Sequence, residues 1–149
     1  MSLINILKPE LVIANLATTS KKRTLESIAN LVSDRLHCDK EAVFDALLAR
    51  EKLGSTGVGQ GIAVPHCRLE EANHTAMVVI SLENAIDFDS IDRKRVDLIF
   101  ALIVPPQECE HHLATLGQIA EFAQSPEKLE SLRQADSNQA LYDTFKSLL

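Results

Sequence analysis

Apolar positions recur at helical spacing near both ends of the chain, with denser apolar runs between. After Ser20 they fall at Leu25, Ile28, Ala29, Val32 and Leu36, close to the ~3.6-residue period of a helix that Ser20 can cap. Asp39 can cap a second helix with a stripe of Val43, Phe44, Leu47 and Leu48, ended by Gly54. The pattern then changes. Ala76–Leu82 and Val96–Val104 are rich in β-branched residues, as strands buried on both faces are. Leu11-Val12-Ile13 and Ile62-Ala63-Val64 are shorter strand candidates, Ile86-Asp87-Phe88 a short edge strand, and Asp92-Arg93-Lys94 a turn. Pro105-Pro106 stops the long strand. A helix beginning near Glu108 is expected to turn Leu113, Leu116, Ile119, Ala120 and Ala123 inward. Ser125-Pro126 opens a short helix carrying Leu129 and Leu132, and Ser137 caps a last one with Leu141, Phe145, Leu148 and Leu149 on one face. Helices on either side of a strand-rich middle predict a layered α/β domain with a central sheet.

Composition narrows the function classes. The 149 residues fit one domain, 1–149, large enough to bury a core without disulfides. Lys and Arg number 15 against 21 Asp and Glu, a formal net charge of −6. The basic footprint that neutralises phosphates is missing, so nucleic acid is not an expected partner. The longest apolar run, Leu98 to Val104, is far short of the roughly 20 residues that span a bilayer. The N-terminus lacks the charged start and cleavage site of a secretory signal, so a cytoplasmic protein without membrane insertion is expected. Cys38, Cys67 and Cys109 have no paired spacing and read as reduced thiols.

Two short segments concentrate the candidate chemistry. Four of the five glycines fall within 54–61, where they permit positive φ and close backbone approach to a ligand, or form a merely structural loop. The segment is not a P-loop, since the Gly-Lys-Ser/Thr ending is missing, and it leads into a strand rather than the helix of a dinucleotide fingerprint. It runs into Ile62-Ala63-Val64-Pro65-His66, where Pro65 stiffens the backbone before His66. A neutral imidazole nitrogen can attack phosphorus without a general base, unlike Ser or Thr. A structural histidine is the alternative.

The second segment is Glu108-Cys109-Glu110-His111-His112. On a helix, His112 shares a face with Leu116 and Ile119 while His111 points away, so His112 faces the interior or a cleft. There it either donates to a phosphate oxygen near the positive helix end or is a satisfied half-buried histidine. His66, Cys67, Cys109, His111 and His112 are potential zinc ligands, but no Cys-x-x-Cys or His-x-x-x-His spacing groups them, and no metal is expected. Cys67 and His66 are neighbours on a strand, so their side chains point to opposite faces and do not make a nucleophile–base pair. Arg50 either reaches phosphate from the end of its helix or completes the helix dipole. Lys21-Lys22-Arg23 is a solvated face or a contact for an acidic partner.

Together, Arg50-Glu51-Lys52-Leu53-Gly54 and the following residues through Pro65-His66 resemble the signature of the mannitol/fructose-type enzyme IIA proteins of the bacterial phosphotransferase system. The resemblance is nearest to the nitrogen-regulatory branch. It continues through Ile86-Asp87-Phe88-Asp89, Val96–Leu102 with Val104-Pro105, His112-Leu113-Ala114-Thr115-Leu116 and, more weakly, Ala140-Leu141-Tyr142, covering essentially the whole chain. It implies a mixed sheet covered by helices and a phosphoryl group accepted on His66, with His112 beside it hydrogen-bonding the phosphate. Arg50 would position phosphate or partner, and so would Ser55, Thr56, Gly57, Gly59 and Gly61 of the loop. No cofactor is implied. The implied donor is an HPr-like phosphocarrier fed by phosphoenolpyruvate and enzyme I, and the implied recipients of the signal are regulated target proteins. Two other readings stand beside this one: a sugar-specific IIA passing phosphate to a separate IIB, since the chain has no room for IIB or IIC, and a protein-binding module in which His66 is unused.

Overall fold

Alternation along the two longest strands divides the core. On β5 (Ala76–Ile86), Val78, Ile80 and Leu82 face one side of the sheet and Met77 and Val79 the other. On β6 (Val96–Val104), Ile99, Ala101 and Ile103 share the first side, and Leu98, Phe100, Leu102 and Val104 the second. Successive strand residues point to opposite faces, so strands apolar at every position must be covered twice. α2 (Lys21–Leu36) and α3 (Lys40–Leu53) cover the first face through Leu25, Ile28, Val32, Val43 and Leu47. The short α1 (Leu3–Ile6), α4 (Cys109–Phe122), α5 (Pro126–Gln134) and α6 (Asn138–Leu148) cover the second. The computed structural model describes residues 2–149, the side chains of Cys109 and Glu110 excepted, so the reading of Cys109 as a thiol lies outside the described residues. Cys38 and Cys67 are free. Among the described residues no helix is long and apolar enough to cross a membrane.

The sheet is mixed and six-stranded. β1 (Val12–Leu16) runs parallel to β5, and β5 pairs antiparallel with β6. On the far side of β6 lie β3 (Ile62–Ala63) and β4 (His66–Arg68), both parallel to it, and β2 (Gly57–Gly59) closes the edge antiparallel to β3. β3 and β4 are two pieces of one line along β6, interrupted at Val64-Pro65. Ala63 pairs with Ile99 and His66 with Leu102. The break follows from Pro65, which has no N–H to donate, while its carbonyl still accepts from Leu102 N at 2.9 Å.

The four expected caps are made. Ser20, Asp39, Ser125 and Ser137 accept from the backbone N–H groups of Arg23, Ala42, Lys128 and Ala140. Other expectations need correction. Leu113 is 77% exposed and Ala120 also faces solvent, because α4 buries Thr115, Ile119 and Phe122 instead, an i, i+4, i+7 stripe rotated from the predicted one. Ile86 ends β5 opposite Val96, so 86–88 is no separate edge strand, and the reversal falls at 91–92. Leu11 belongs to a short 3₁₀ turn before β1, Val64 lies outside β3, and Leu36 and Leu149 are exposed at helix ends.

Phe100, Phe122 and Phe145 form a three-ring cluster that ties β6 to α4 and α6, with centroids 4.9–6.3 Å apart. Phe145 is fully buried. Phe145→Ala is expected to lower stability by about 3–5 kcal/mol, the usual result of removing a core aromatic ring. Urea denaturation checks it through the transition midpoint.

Candidate functional site

His66 stands at the first residue of β4, and β4 has no second partner strand among the described residues. Cys67 turns into the core beneath α2 and α3, where burial pushes its thiol up to about 12, so it stays protonated. His66 is left half-buried at the sheet margin. Its Nδ1 lies 2.8 Å from the Val64 carbonyl oxygen, a partner that can only accept, so Nδ1 carries the hydrogen of the neutral ring. Burial lowers the pKa of His66, and the nearby Arg50 charge adds to this, against the Val64 hydrogen bond and Glu51, which act the other way. The ring is therefore neutral near pH 7, with the Nε2 lone pair directed outward.

Two helices bring side chains to that nitrogen. Arg50, in the last turn of α3, donates from Nε to His66 Nε2 at 3.2 Å and from Nη1 to the Gly54 carbonyl at 2.9 Å. His112, in the first turns of α4, places its ring 4.9 Å from that of His66 at an interplanar angle of 62°. Burial, then the charges of His66, Arg50 and Arg68, lower its pKa as well. His111 is exposed. The three residues share a cleft of about 550 Å³ with Leu53, Arg68 and Val104, and among the described residues its lining includes two arginines and no carboxylate. On a chain of net charge −6 this is a local cationic site beside a helix N-terminus, which suits an anion.

The loop residues expected to position phosphate lie elsewhere. None of Ser55, Thr56, Gly57, Gly59 and Gly61 lines the cleft. Ser55 donates to the Phe88 carbonyl, and Thr56 is buried with its hydroxyl on Glu51. A Cβ at Gly57 would collide with Ser90. Gly59 packs against Asp92, and Gly61 (φ +80°) leaves room for Arg133, whose Nη2 a Cβ would meet at 2.5 Å. The glycines thus let the loop close against the 90–92 turn and Arg133, which also holds the Gln60 carbonyl at 2.7 Å and Asp97 at 3.0 Å.

Sequence reasoning gave no role to Glu51 or Leu53, and it placed Lys21 in a solvated or partner-binding run. Glu51 takes the next place in the buried stripe Val43-Leu47, four residues on, and a carboxylate there is a signal for an internal partner. That partner is Lys21, 3.1 Å away, which also pairs with Asp89 at 3.3 Å and lies over the Phe88 ring. Lys21 is thus an internal tie rather than a member of a solvated run. Leu53, on the rim of the cleft, is 85% exposed.

An accessible neutral imidazole with a fixed tautomer, faced by a guanidinium and a second imidazole, is equipped for phosphoryl exchange on nitrogen. Residues 5–148 match the family of the phosphoenolpyruvate-dependent sugar phosphotransferase system described as EIIA 2, and the chain belongs to that family. It is thereby a component of a phosphotransferase system, with the layered α/β architecture of IIA proteins. Over 138 residues it is 46% identical to the nitrogen regulatory protein of Pseudomonas aeruginosa, covering 92% of this chain and 90% of that one. It is 42% identical to the nitrogen regulatory protein of Escherichia coli, covering 95% and 88%. The crystal structure of the nitrogen regulatory protein IIA-Ntr from Neisseria meningitidis superposes with a TM-score of 0.88 at 33% identity, covering 95% of this chain and 97% of that one.

Proposed function

We propose that the chain accepts a phosphoryl group on His66 Nε2 from an HPr-like phosphocarrier and acts in nitrogen-linked regulation, its phosphorylation state selecting among target proteins. The observation that carries this is the pair of contacts on one ring: Nδ1–H held by Val64 O, and Nε2 facing the cationic cleft. In the transfer, the Nε2 lone pair forms the new N–P bond as the bond from phosphorus to the carrier's nitrogen breaks. The carrier ring recovers that electron pair, and no proton has to leave His66. Nδ1–H stays on Val64 O, which supports the positive charge the ring acquires. Arg50 must release Nε2 before attack, and the same guanidinium then stands against the equatorial phosphoryl oxygens, with a His112 N–H as a second donor. The exposed Leu53 beside the cleft gives the carrier an apolar contact. The new group carries about −1.5 to −2 charge, enough to change which surfaces dock at the cleft without refolding.

Incubation with the phosphorylated carrier, regenerated by phosphoenolpyruvate and enzyme I, is expected to give an acid-labile, alkali-stable phosphoryl group. A stable phosphoester, or no uptake, would overturn the reading. The pH dependence has a definite sign. Protonation of His66 removes the attacking lone pair, and its pKa lies below the ordinary histidine value of 6.5. Uptake is therefore expected to fall as the pH drops, with the midpoint of the fall below the ordinary histidine value of about 6.5. Stopped-flow transfer rates across this range, with the carrier's own titration subtracted, check it.

A further inference from the structure

The last turn of α3 addresses both nitrogens of His66. Arg50 reaches Nε2 directly. Its neighbour Glu51 reaches Nδ1 through three successive links. The Glu51 carboxylate accepts from the Thr56 hydroxyl and, at 3.3 Å, from the Thr56 backbone N–H. The Thr56 carbonyl accepts from Val64 N at 2.9 Å, and the Val64 carbonyl holds His66 Nδ1 at 2.8 Å. Both backbone groups of Val64 are thus committed, one to the loop and one to the imidazole. The far end of the chain is anchored by Lys21 Nζ, 3.1 Å from Glu51 Oε2 and 3.3 Å from Asp89. Glu51 is only 7% exposed and Thr56 4%, so water does not readily replace these partners.

We propose that Glu51, anchored by Lys21, is a positioning residue for the phosphoryl acceptor: through Thr56 and Val64 it holds His66 in the Nδ1–H tautomer that leaves Nε2 as the nucleophile. The inference rests on the reading of His66 as that acceptor, and it supplies a use for a buried charge that the transfer itself does not touch. A buried carboxylate with one ion-pair partner is weak evidence for stability, because desolvation offsets much of the attraction. Fixing one loop register is a better account of it. Without the tie, the 54–64 segment can shift, Val64 O leaves the ring, and the tautomers equalise. The Nδ1 lone pair then competes for the phosphoryl group from a position facing away from Arg50.

The test uses Glu51→Gln, which keeps size but removes the charge that holds Lys21 and turns one acceptor oxygen into an N–H₂ donor, and Thr56→Val, which removes the hydroxyl while keeping the shape. Long-range ¹H–¹⁵N correlation spectra of ¹⁵N-histidine-labelled protein report the tautomer, and uptake from the phosphorylated HPr-like carrier is timed alongside thermal unfolding. The expected result is a folded Glu51→Gln protein with a mixed His66 tautomer and uptake slowed roughly tenfold to hundredfold, as when the orienting partner of a functional imidazole is lost. Thr56→Val should shift both readouts in the same direction, and it carries the test if Glu51→Gln does not fold. Lowered melting temperatures with an unchanged Nδ1–H tautomer and wild-type uptake would overturn the inference. If the wild-type chain takes up no phosphoryl group, the acceptor reading fails, while the tautomer spectra still decide whether Glu51 orients the ring.

Discussion

His66→Ala is expected to abolish phosphoryl uptake completely while leaving the fold intact. The variant loses the nitrogen that combines an unprotonated lone pair, a tautomer fixed by Val64 and a place in the cationic cleft. The other groups in the cleft cannot substitute. His112 is turned edge-on to His66 and belongs to another element, and Cys67 is a buried thiol kept protonated. The effect on stability is expected to be about 1 kcal/mol, since the side chain is half-buried and contributes one backbone hydrogen bond. Radiolabel transfer from the phosphorylated carrier, with circular dichroism of the same preparation, checks both halves of the prediction. Any acid-labile label on the folded variant contradicts it.

His112→Ala is expected to fold normally and to take up phosphate roughly 10²–10³-fold more slowly, the usual effect of removing one donor aimed at developing charge. Its ring lies close enough to that of His66 for an N–H to meet a phosphoryl oxygen bound there, and desolvation keeps it neutral near pH 7. Because the nucleophile stays, the final extent of labelling is expected to match wild type when incubation is prolonged. Single-turnover rates separate this from a binding defect: the maximal rate should fall, with little change in the carrier concentration giving half-maximal rate. An unchanged rate would make His112 a packing residue.

The readable parts of the chain were those where local chemistry and tertiary packing agree. Ser20, Asp39, Ser125 and Ser137 cap helices in the structure as their positions beside apolar periodicity suggest. The apolar runs of β5 and β6 announce strands covered on both faces. The side to which His112 belongs followed from its spacing to Leu116 and Ile119, whereas Leu113 misled because α4 buries Thr115, Ile119 and Phe122, a stripe that leaves Leu113 facing solvent. The β3–β4 line was only partly legible: two- and three-residue strands exist through pairing with β6, which no local pattern records. The glycine cluster was ambiguous for the same reason. Closeness to Ser90, Asp92 and Arg133 is a long-range fact, and from the sequence it was indistinguishable from closeness to a ligand. Lys21 and Glu51 lie 30 residues apart, and their pairing depends on how α2 and α3 cross the sheet.

The central claim is chemical: phosphate bonds to Nε2 of His66. A ³¹P–¹⁵N correlation spectrum of the ¹⁵N-histidine-labelled protein, phosphorylated by the carrier and kept at alkaline pH, reads this bond directly. One ³¹P signal coupled to Nε2 of His66, with Nδ1 still carrying its hydrogen, is the predicted result. Coupling to Nδ1, to any other histidine, or to no nitrogen contradicts it.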